Sequence, residues 1–406
     1  MKKTSIIGLC LITAATATAQ KTVVKEAEKA MKTGKPFTEV VTIITPAYSN
    51  PETEKSAEAY YIPGKAGFKQ YDDVLGKKQV GLIKPEDPKV VEAAEALLGG
   101  YEYFMKALPL DSLPNEKGQV KPKYSKDIIG TLQGHQTDFN IAAVDFWSAK
   151  KYDKAYDSWE VFLNFKNNPR FPKAQQFPDS TMSEVAYNQA LAAWQANNLE
   201  NSIKSFRKAV KLGYDKKSLY EYAVAVASNA KNNEALLEFA QAGNEKYGKE
   251  DAQFINQIIN YYLQTEKYDE ARAYLDNAIA ADPQNAQYYA LEGIIYDNQK
   301  NRDKAMECYQ KSLDLNPENP LGLFYMGRAY CAKAGELQDN YSGNNYDNYK
   351  ATELAPMYKK SIELLEHAYK VDENNRDQIL KVLDIAYYNI NDSAGQESVK
   401  QRQLGD

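Results

Sequence analysis

Residues 252–285 read AQFINQIINYYLQTEKYDEARAYLDNAIAADPQN, and residues 286–319 read AQYYALEGIIYDNQKNRDKAMECYQKSLDLNPEN. The two stretches have the same length, and four positions recur with a period of 34 residues. These positions are Tyr262, Ala271, Ala278 and Pro283, which return as Tyr296, Ala305, Ser312 and Pro317. Such a period is typical of helical hairpins that stack, because one hairpin cannot bury its apolar face alone. The sequence therefore predicts an all-α fold, an α-solenoid of stacked helix-turn-helix units.

Several residues of the second stretch have packing roles within one hairpin. Gly293 and Ala305 let its two helices approach closely, and Tyr296 and Tyr309 fill the space between them. Pro317 ends the second helix because proline cannot continue one. In residue type and spacing, this unit resembles the tetratricopeptide repeat family, whose pattern is W-x2-L-G-x2-Y, then A-x3-F, then P.

Two positions depart from that family pattern. Glu292 stands where the second unit should carry leucine, and Ile259 stands where the first unit should carry glycine. These departures weaken the match of each single unit to the pattern. The shared period still indicates that both units form the same kind of hairpin.

The resemblance implies a ligand groove lined by the first helix of each unit. Carried over residue by residue, the groove positions are Gln253, Asn256, Asn260, Gln264, Gln287, Asp297 and Asn298. Most of these side chains are amides, which donate and accept hydrogen bonds at once and suit the backbone of an extended peptide. The basic residues with which some family members clamp a carboxylate are absent, since Leu321 and Tyr325 stand there. A plain solvated helix face remains the alternative to a binding groove.

Aromatic residues recur at other groove positions in the preceding hairpins. Trp147 and Trp194 share one position, and Tyr187 and Tyr220 share another. They form either an aromatic strip that stacks on a peptide or a sugar, or packing between neighbouring repeats. We favour packing for the two tryptophans and keep the two tyrosines as groove candidates.

The first 19 residues have the pattern of a signal peptide. Lys2 and a second lysine precede an apolar run from Ile6 to Ala15, and small residues end at Ala19. This pattern predicts cleavage near Ala19 and export to the periplasm or the outer-membrane periphery. Lipid attachment at Cys10 is a weaker alternative, because Leu9 is too large for a typical acceptor motif.

Composition restricts the partners. The chain has 406 residues, 43% hydrophobic and 26% charged, with a net charge of −5. Removal of residues 1–19 makes this charge more negative by two, which argues against nucleic acid as a partner. No later stretch is long and apolar enough to predict a transmembrane span. Cys308 and Cys331 then remain, and we expect two separate thiols.

Catalytic and metal-binding patterns are missing. The chain has two histidines, His135 and His367, which lie on different repeats. None of the HExxH, CxxC, GxSxG or phosphate-binding loop motifs occurs. We therefore expect no enzyme activity, no metal and no cofactor.

The chain is expected to divide into five parts. After the signal peptide (1–19) come an irregular helical region with degenerate repeats (20–123), helical hairpins that resemble the repeat (124–250), clear repeats (251–375), and a C-terminal capping helix with a polar tail (376–406). We expect a loop near residues 76–86, and a long helix that Ser125 caps and that ends near Ser148. Residues 333–350 form an insertion that we expect to be a tyrosine-rich lid.

Three Asp-Ser pairs resemble the acceptor used for O-glycosylation in the Bacteroidota. They place candidate acceptors at Ser112, Ser180 and Ser393.

Together these features predict an exported, non-catalytic scaffold that binds proteins or peptides in the envelope of a Gram-negative bacterium. The alternative is a glycan-binding protein for nutrient capture that uses the same kind of solenoid.

Overall fold

The computed structural model describes residues 22–51, 53–114 and 117–404. The predicted signal peptide and Cys10 lie outside these residues. Within them, the only extended pairing is one isolated bridge between Pro114 and Val120, and all other regular structure is helical. The predicted all-α fold is therefore confirmed. No helix in the described part of the chain is both long and apolar enough to cross a bilayer.

The helices follow one another with short connections. In chain order they are α1 (22–32), α2 (Phe37–Ile44), α3 (Ala57–Gln79), α4 (Pro88–Asp111), α5 (Ser125–Gly134), α6 (Gln136–Ser148), α7 (Tyr152–Asn164), α8 (Asp179–Gln195), α9 (Leu199–Lys211), α10 (Lys217–Asn229), α11 (Asn233–Tyr247), α12 (Gln253–Gln264), α13 (Tyr268–Ala281), α14 (Ala286–Asn298), α15 (Arg302–Leu315), α16 (Pro320–Asp339), α17 (Tyr346–Tyr349), α18 (Ala355–Val371), α19 (Arg376–Asn389) and α20 (Ser393–Leu404). Short 3-10 turns cover Thr45–Ser49 and Phe165–Asn167.

The chain forms two compact units that meet in sequence between Asn232 and Asn233. The first holds α1–α10 and the second holds α11–α20. In each unit, helices that follow one another pack as hairpins, such as α6 with α7 and α14 with α15. First helices of successive hairpins also touch, as α12 with α14 does. The sequence analysis placed a division at residue 250 instead. The structure places it earlier because α11 belongs to the second unit.

One turn geometry recurs between the helices of the hairpins. It centres on a residue with positive φ that is not glycine, at Lys150, Asn197, Lys231, Glu266, Lys300 and Asn391. At Lys300, for example, its N–H donates to the carbonyl of Asp297, and the next N–H donates to that of Tyr296, both at 2.9 Å. These bonds satisfy carbonyl groups that a helix end otherwise leaves unpaired.

The turn at Asn391 corrects the expected C-terminal region. It joins α19 to α20, so residues 376–404 form a helical hairpin. The expected polar tail is wrong for Ser393–Leu404, where Val399 is fully buried and holds α20 to the core of the second unit.

The close helix approach expected within the repeat is present. A Cβ atom placed on Gly293 would lie 2.3 Å from Cε1 of Tyr309, and Tyr309 is completely buried. Glycine is therefore needed at this position of the hairpin because the tyrosine ring occupies the space of a side chain.

Tyr309 carries a hydroxyl group that makes no hydrogen bond within the described residues. Burial raises the pKa of this phenol, so it stays neutral. We expect Tyr309→Phe to leave the stability of the second unit unchanged, or to raise it by up to about 1 kcal/mol, because an unpaired buried hydroxyl is costly. Amide hydrogen exchange over α14 and α15 measures this effect.

The matched control is Tyr387→Phe, because the Tyr387 hydroxyl donates to Oε1 of Glu366 at 3.0 Å. Its removal is expected to cost about 1 kcal/mol. Equal losses in both variants would contradict the prediction for Tyr309.

Three expectations about helix ends and connections are corrected. Helix α3 runs to Gln79, so the loop begins later than residue 76. The long helix after Ser125 is divided at His135 into α5 and α6. Ser125 does not cap it: Ser125 is the first residue of α5, and both its N–H and its hydroxyl donate to the carboxylate of Asp111.

The insertion 333–350 is mostly helical. Helix α16 extends to Asp339, and α17 with a π-helical turn (Lys350–Leu354) leads into α18, so only residues 340–345 are open loop. The ring of Tyr341 stacks on that of Tyr349, with centroids 4.4 Å apart. Tyr349 in turn packs against a small core around Leu354 and Tyr358. These tyrosines stabilise the insertion itself, and a role as a tyrosine-rich lid stays a prediction.

Candidate functional site

The first candidate surface is a row of four amides on α12. Gln253, Asn256, Asn260 and Gln264 lie three or four residues apart, so they share one face of the helix; we call them the amide stripe. The opposite face is buried and apolar, and it carries Phe254, Ile255, Ile258 and Ile259. This division fixes the rotation of α12 about its axis, and the amide stripe points away from the core.

Three amides of the stripe are free. Gln253, Asn260 and Gln264 are exposed, and their side chains make no hydrogen bond within the described residues. Each carries a donor and an acceptor, so the three can bind a ligand that offers both.

The fourth amide, Asn256, belongs to a ladder that joins neighbouring repeats. Gln287 donates from Nε2 to Oδ1 of Asn256 at 3.1 Å, and Asn319 donates from Nδ2 to Oε1 of Gln287 at 3.2 Å. Oδ1 of Asn319 accepts from the N–H of Gly322 at the start of α16. The ladder therefore links α12, α14 and α16, and Asn256 and Gln287 hold the repeats in register.

The last two groove candidates of the second unit are also occupied. Asn298 donates to the carbonyl of Ile294 on its own helix at 2.9 Å. Asp297 forms an ion pair with Nη2 of Arg328 at 2.8 Å. Of the seven residues carried over from the repeat family, Gln253, Asn260 and Gln264 therefore remain available.

Sequence reasoning missed Arg328. Its guanidinium group lies 4.6 Å from the ring centroid of Tyr325, and its side chain is 41% exposed. The sequence analysis examined Leu321 and Tyr325 for a basic groove residue and did not extend to the next turn of α16. The 34-residue period could have found Arg328, because it occupies in α16 the position that Ile294 occupies in α14.

The two tyrosine candidates of the first unit have different outcomes. Tyr220 is only 1% exposed, so its assignment to the groove is wrong. It lies at helical spacing with Ala223, Val224 and Ala227, and these residues form the buried face of α10. Tyr187 is half-buried, and its ring stacks on that of Tyr214 with centroids 4.4 Å apart.

The second candidate surface is a cavity of about 160 Å³ in the first unit. Side chains from α6, α7 and α8 line it, namely Val144, Trp147, Trp159, Asn188 and Leu191; we call it the tryptophan pocket. The centroids of the two indole rings are 6.4 Å apart, with planes 48° apart. Trp147 thus packs against Trp159 of its own hairpin, whereas the packing interpretation expects a contact with the neighbouring repeat, and it also lines an open cavity.

Trp194 lies outside this pocket. It is half-buried, and its ring centroid lies 5.6 Å from that of Tyr222, which is 39% exposed. This contact accords with the packing role favoured for Trp194.

Both ring nitrogens of His135 lie near carboxylates. Nδ1 of His135 lies 2.8 Å from Oδ2 of Asp138, and Nε2 lies 3.7 Å from Oδ1 of Asp72. Among the described residues, no cluster of three histidine, cysteine or acidic side chains could hold a metal ion.

The two thiols are separate, as expected. Burial, with the nearby Glu292 carboxylate, raises the pKa of Cys308 to about 12, and burial raises that of Cys331 to about 11. Both thiols are thus held in the neutral form, which is a poor nucleophile.

The three candidate glycosylation serines are exposed and lie at helix ends. Ser112 directly follows α4, Ser180 is the second residue of α8, and Ser393 is the first residue of α20. Glycosylation at these positions stays a prediction, to be checked by mass spectrometry of the native protein.

Family comparison agrees with the repeats described above. Two family models, both described as tetratricopeptide repeat, match residues 256–320 and residues 183–212. One match falls in each compact unit. They support the resemblance to tetratricopeptide repeats in both units, and proteins with such repeats generally bind other proteins or peptides.

Two curated relatives match parts of the chain. The BBSome complex member BBS4 of Bos taurus is 27% identical over 171 residues, which is 41% of this chain and 32% of the relative. A TPR repeat-containing protein of Methanocaldococcus jannaschii is 31% identical over 116 residues, which is 27% of this chain and 20% of the relative. The chain therefore spans a third or less of the length of these relatives.

Among solved structures, the C-terminal part of a TPR repeat-containing protein from Cytophaga hutchinsonii is similar. It is 16% identical, with a TM-score of 0.37, and the match covers 63% of this chain and 91% of that one.

Proposed function

We propose that this protein is a non-catalytic scaffold that binds an extended segment of a partner protein along the amide stripe. The observation that carries the proposal is the set of three exposed amides, Gln253, Asn260 and Gln264, which are aligned on one helix face and have no side-chain partner in the part of the chain that the structure describes. A helix face with no binding role would carry charges as readily as amides, whereas every polar residue of this row is an amide.

The spacing of the amides suits an extended peptide. Residues four apart on a helix are about 6 Å apart along its axis. Alternate residues of an extended chain are about 6.6 Å apart, and they present N–H and C=O groups in the same direction. Asn260 and Gln264 can therefore pair with alternate residues of one strand, and each amide can donate to a carbonyl and accept from an N–H.

Hydrogen bonds to the second repeat hold the stripe in position. The ladder of Asn256, Gln287 and Asn319 ties α12 to α14 and α16, so the free amides stand on a rigid support. Rigid presentation lowers the entropy cost of binding.

For the cellular location, we propose the envelope, in the periplasm or at the outer-membrane periphery. The proposal rests on the residue pattern of positions 1–19. N-terminal sequencing of the protein from fractionated cells tests it: a mature chain starting at Gln20 in the periplasmic fraction is the expected result, and an intact Met1 in the cytoplasm would refute it.

Photo-crosslinking tests the peptide-binding proposal. With p-benzoylphenylalanine in place of Asn260, we expect a covalent product with one partner protein in cells that express the chain naturally. The same probe in place of Glu270, an exposed residue of α13, is the matched control and should give no such product. A partner captured equally at both positions would contradict binding at the stripe.

Substitution of the free amides gives the matching affinity measurement. Once a peptide of the partner is known, the triple change Gln253→Ala, Asn260→Ala and Gln264→Ala is expected to weaken its binding at least about tenfold, since each hydrogen bond contributes about 1 kcal/mol. Asn298→Ala is the control, because that amide bonds to its own helix. If no peptide binds and an oligosaccharide does, the glycan-binding alternative replaces the proposal.

A further inference from the structure

We infer that the tryptophan pocket binds one uncharged side chain of a peptide ligand, either aromatic or branched aliphatic. This inference goes beyond the proposed function, because the pocket belongs to the first unit and shares no residue with the amide stripe. Either can fail without the other.

The size of the pocket limits its occupant. A cavity of about 150 Å³ lined by apolar side chains is known to hold benzene. The tryptophan pocket measures about 160 Å³, so it accommodates a phenylalanine ring or a leucine side chain. A whole helix or a flat protein surface cannot enter a space of this volume.

The lining is neutral. Two indole rings, Val144 and Leu191 form most of the wall, and no charged side chain among the described residues contributes to it. Entry of a carboxylate or an ammonium group would remove its hydration without providing an opposite charge, which is strongly unfavourable. The pocket therefore selects against charged residues.

The polar groups at the pocket distinguish a peptide from a sugar. The indole N–H of Trp159 already donates to Oδ1 of Asn140 at 2.8 Å. Asn188 is half-buried, and neither its amide nor the indole N–H of Trp147 makes a hydrogen bond within the described residues, so these two are the free polar groups of the lining. One amide can pair with one peptide group next to the inserted side chain. A pyranose ring would bring several hydroxyl groups that find no partner here.

The rim continues the apolar surface. Val144 is 51% exposed and Ile141, one turn earlier on α6, is 39% exposed. Both side chains are exposed, whereas the other face of α6 is fully buried. Packing within the first unit therefore does not explain why apolar residues stand at these two positions. They offer contact area to the peptide residues that flank the inserted side chain.

Tryptophan fluorescence reports binding directly. The chain has three tryptophans, and two of them line the pocket. In the Trp194→Phe variant of the full chain, emission therefore comes from the pocket alone. The probes are capped Ser-Gly-Phe-Gly-Ser pentapeptides, with leucine, alanine or glutamate at the centre as the other members of the series.

The phenylalanine and leucine peptides are expected to change the emission saturably, with dissociation constants in the millimolar range, because a single buried side chain supplies little binding energy. The alanine and glutamate peptides are expected to bind at least about tenfold more weakly. No response to any peptide, or an equal response to all four, overturns the inference.

Two further variants locate the site. Val144→Asp places a charge at the mouth of the pocket, and we expect at least about a tenfold loss of phenylalanine-peptide binding. Val80→Asp is the matched control, and binding should stay within about twofold, because Val80 is an exposed residue of the same unit that does not line the cavity. Both positions are partly exposed, so the fold should survive, and far-UV circular dichroism checks this. Equal affinity in Val144→Asp, or an emission change with cellobiose in place of the peptides, would refute the inference.

Discussion

Replacing Gly67 by alanine is expected to lower the free energy of unfolding of the first unit by about 3 kcal/mol, at the upper end of overpacking effects. A Cβ atom at Gly67 would lie 2.2 Å from the backbone oxygen of Ala96 and 2.9 Å from Cα of Gly100. Both contacts are with the backbone of α4, so no side chain can rotate away to relieve them. The substitution must therefore push α3 and α4 apart along their whole contact.

The measurement for Gly67→Ala is urea unfolding followed by tryptophan fluorescence. Trp147, Trp159 and Trp194 all lie in the first unit, and they are the only tryptophans of the chain. The signal therefore reports this unit and is independent of the second.

Gly76→Ala is the control for Gly67→Ala on the same helix. Apart from its chain neighbours and the backbone of its own helix, no atom of the described residues lies within 4 Å of the Cβ position at Gly76. Alanine is the better helix former, so this variant is expected to gain up to about 1 kcal/mol. A loss of stability at Gly76 as large as that at Gly67 would show that helix propensity, and not the close helix contact, governs both changes.

Replacing Asp111 by alanine is expected to cost about 3 kcal/mol, since several hydrogen bonds to one carboxylate are lost together. Asp111 ends α4 and is 8% exposed. Its carboxylate accepts from the backbone N–H groups of Lys123, Tyr124 and Ser125, and from the Ser125 hydroxyl, at 2.6 to 3.0 Å. The last residue of one helix thus caps the first turn of the next.

The same fluorescence-detected unfolding measures the Asp111→Ala loss. The control is Asp87→Ala, at the exposed cap of α4, where the side chain accepts one backbone hydrogen bond from Lys89. It should cost about 1 kcal/mol. Similar costs for the two variants would mean that Asp111 acts only as an ordinary helix cap.

The stabilisation by Asp111 also predicts a dependence on pH. Burial alone would raise the pKa of this carboxyl group, but hydrogen bonds from Ser125 and from three backbone N–H groups together lower it below its usual value. Because the pKa is lower in the folded state, the contribution is complete above about pH 4, the unfolded pKa, and is lost as the pH falls through the folded pKa.

Comparison with Asp111→Asn isolates this effect, because the amide keeps one acceptor oxygen and does not titrate. The difference in unfolding free energy between wild type and Asp111→Asn is expected to be constant above about pH 5 and to shrink below about pH 4. A difference that stays constant down to the acid unfolding of the protein would contradict a lowered pKa.

The corrected helix ends show where sequence reasoning stops. Ser125 follows a polar connection and precedes an apolar helical pattern, which is the usual pattern of a capping residue. The residue that caps α5 instead lies 14 positions earlier, at the end of α4. Only the path of the chain between the two helices brings Asp111 to that place, and local sequence carries no signal for it.

Tyr220 gives the same lesson for a site residue. Its position in the family pattern placed it in the groove, but the apolar residues around it rotate α10 so that the ring enters the core. Periodicity within α10 could have warned of this, since Ala223, Val224 and Ala227 complete a buried face with Tyr220. For Tyr220, the local apolar pattern therefore predicts burial better than the position in the family pattern does.

The sequence by itself determined the helical hairpins and their period. Helix formation and the apolar face of each helix depend on neighbours three or four residues apart, and the 34-residue repeat follows from stacking of equal units. The sequence also identified the row of four amides on α12.

Only the tertiary structure decided which of the carried-over groove residues are free to bind. Asn256 is paired because Gln287 reaches it from the next repeat, and Asp297 is paired because Arg328 does. These partners lie 31 residues away in sequence, and whether they meet depends on the offset between packed helices, which no local pattern encodes. The tryptophan pocket likewise depends on the packing of α6, α7 and α8, because a cavity is a property of the space between elements and not of any one of them.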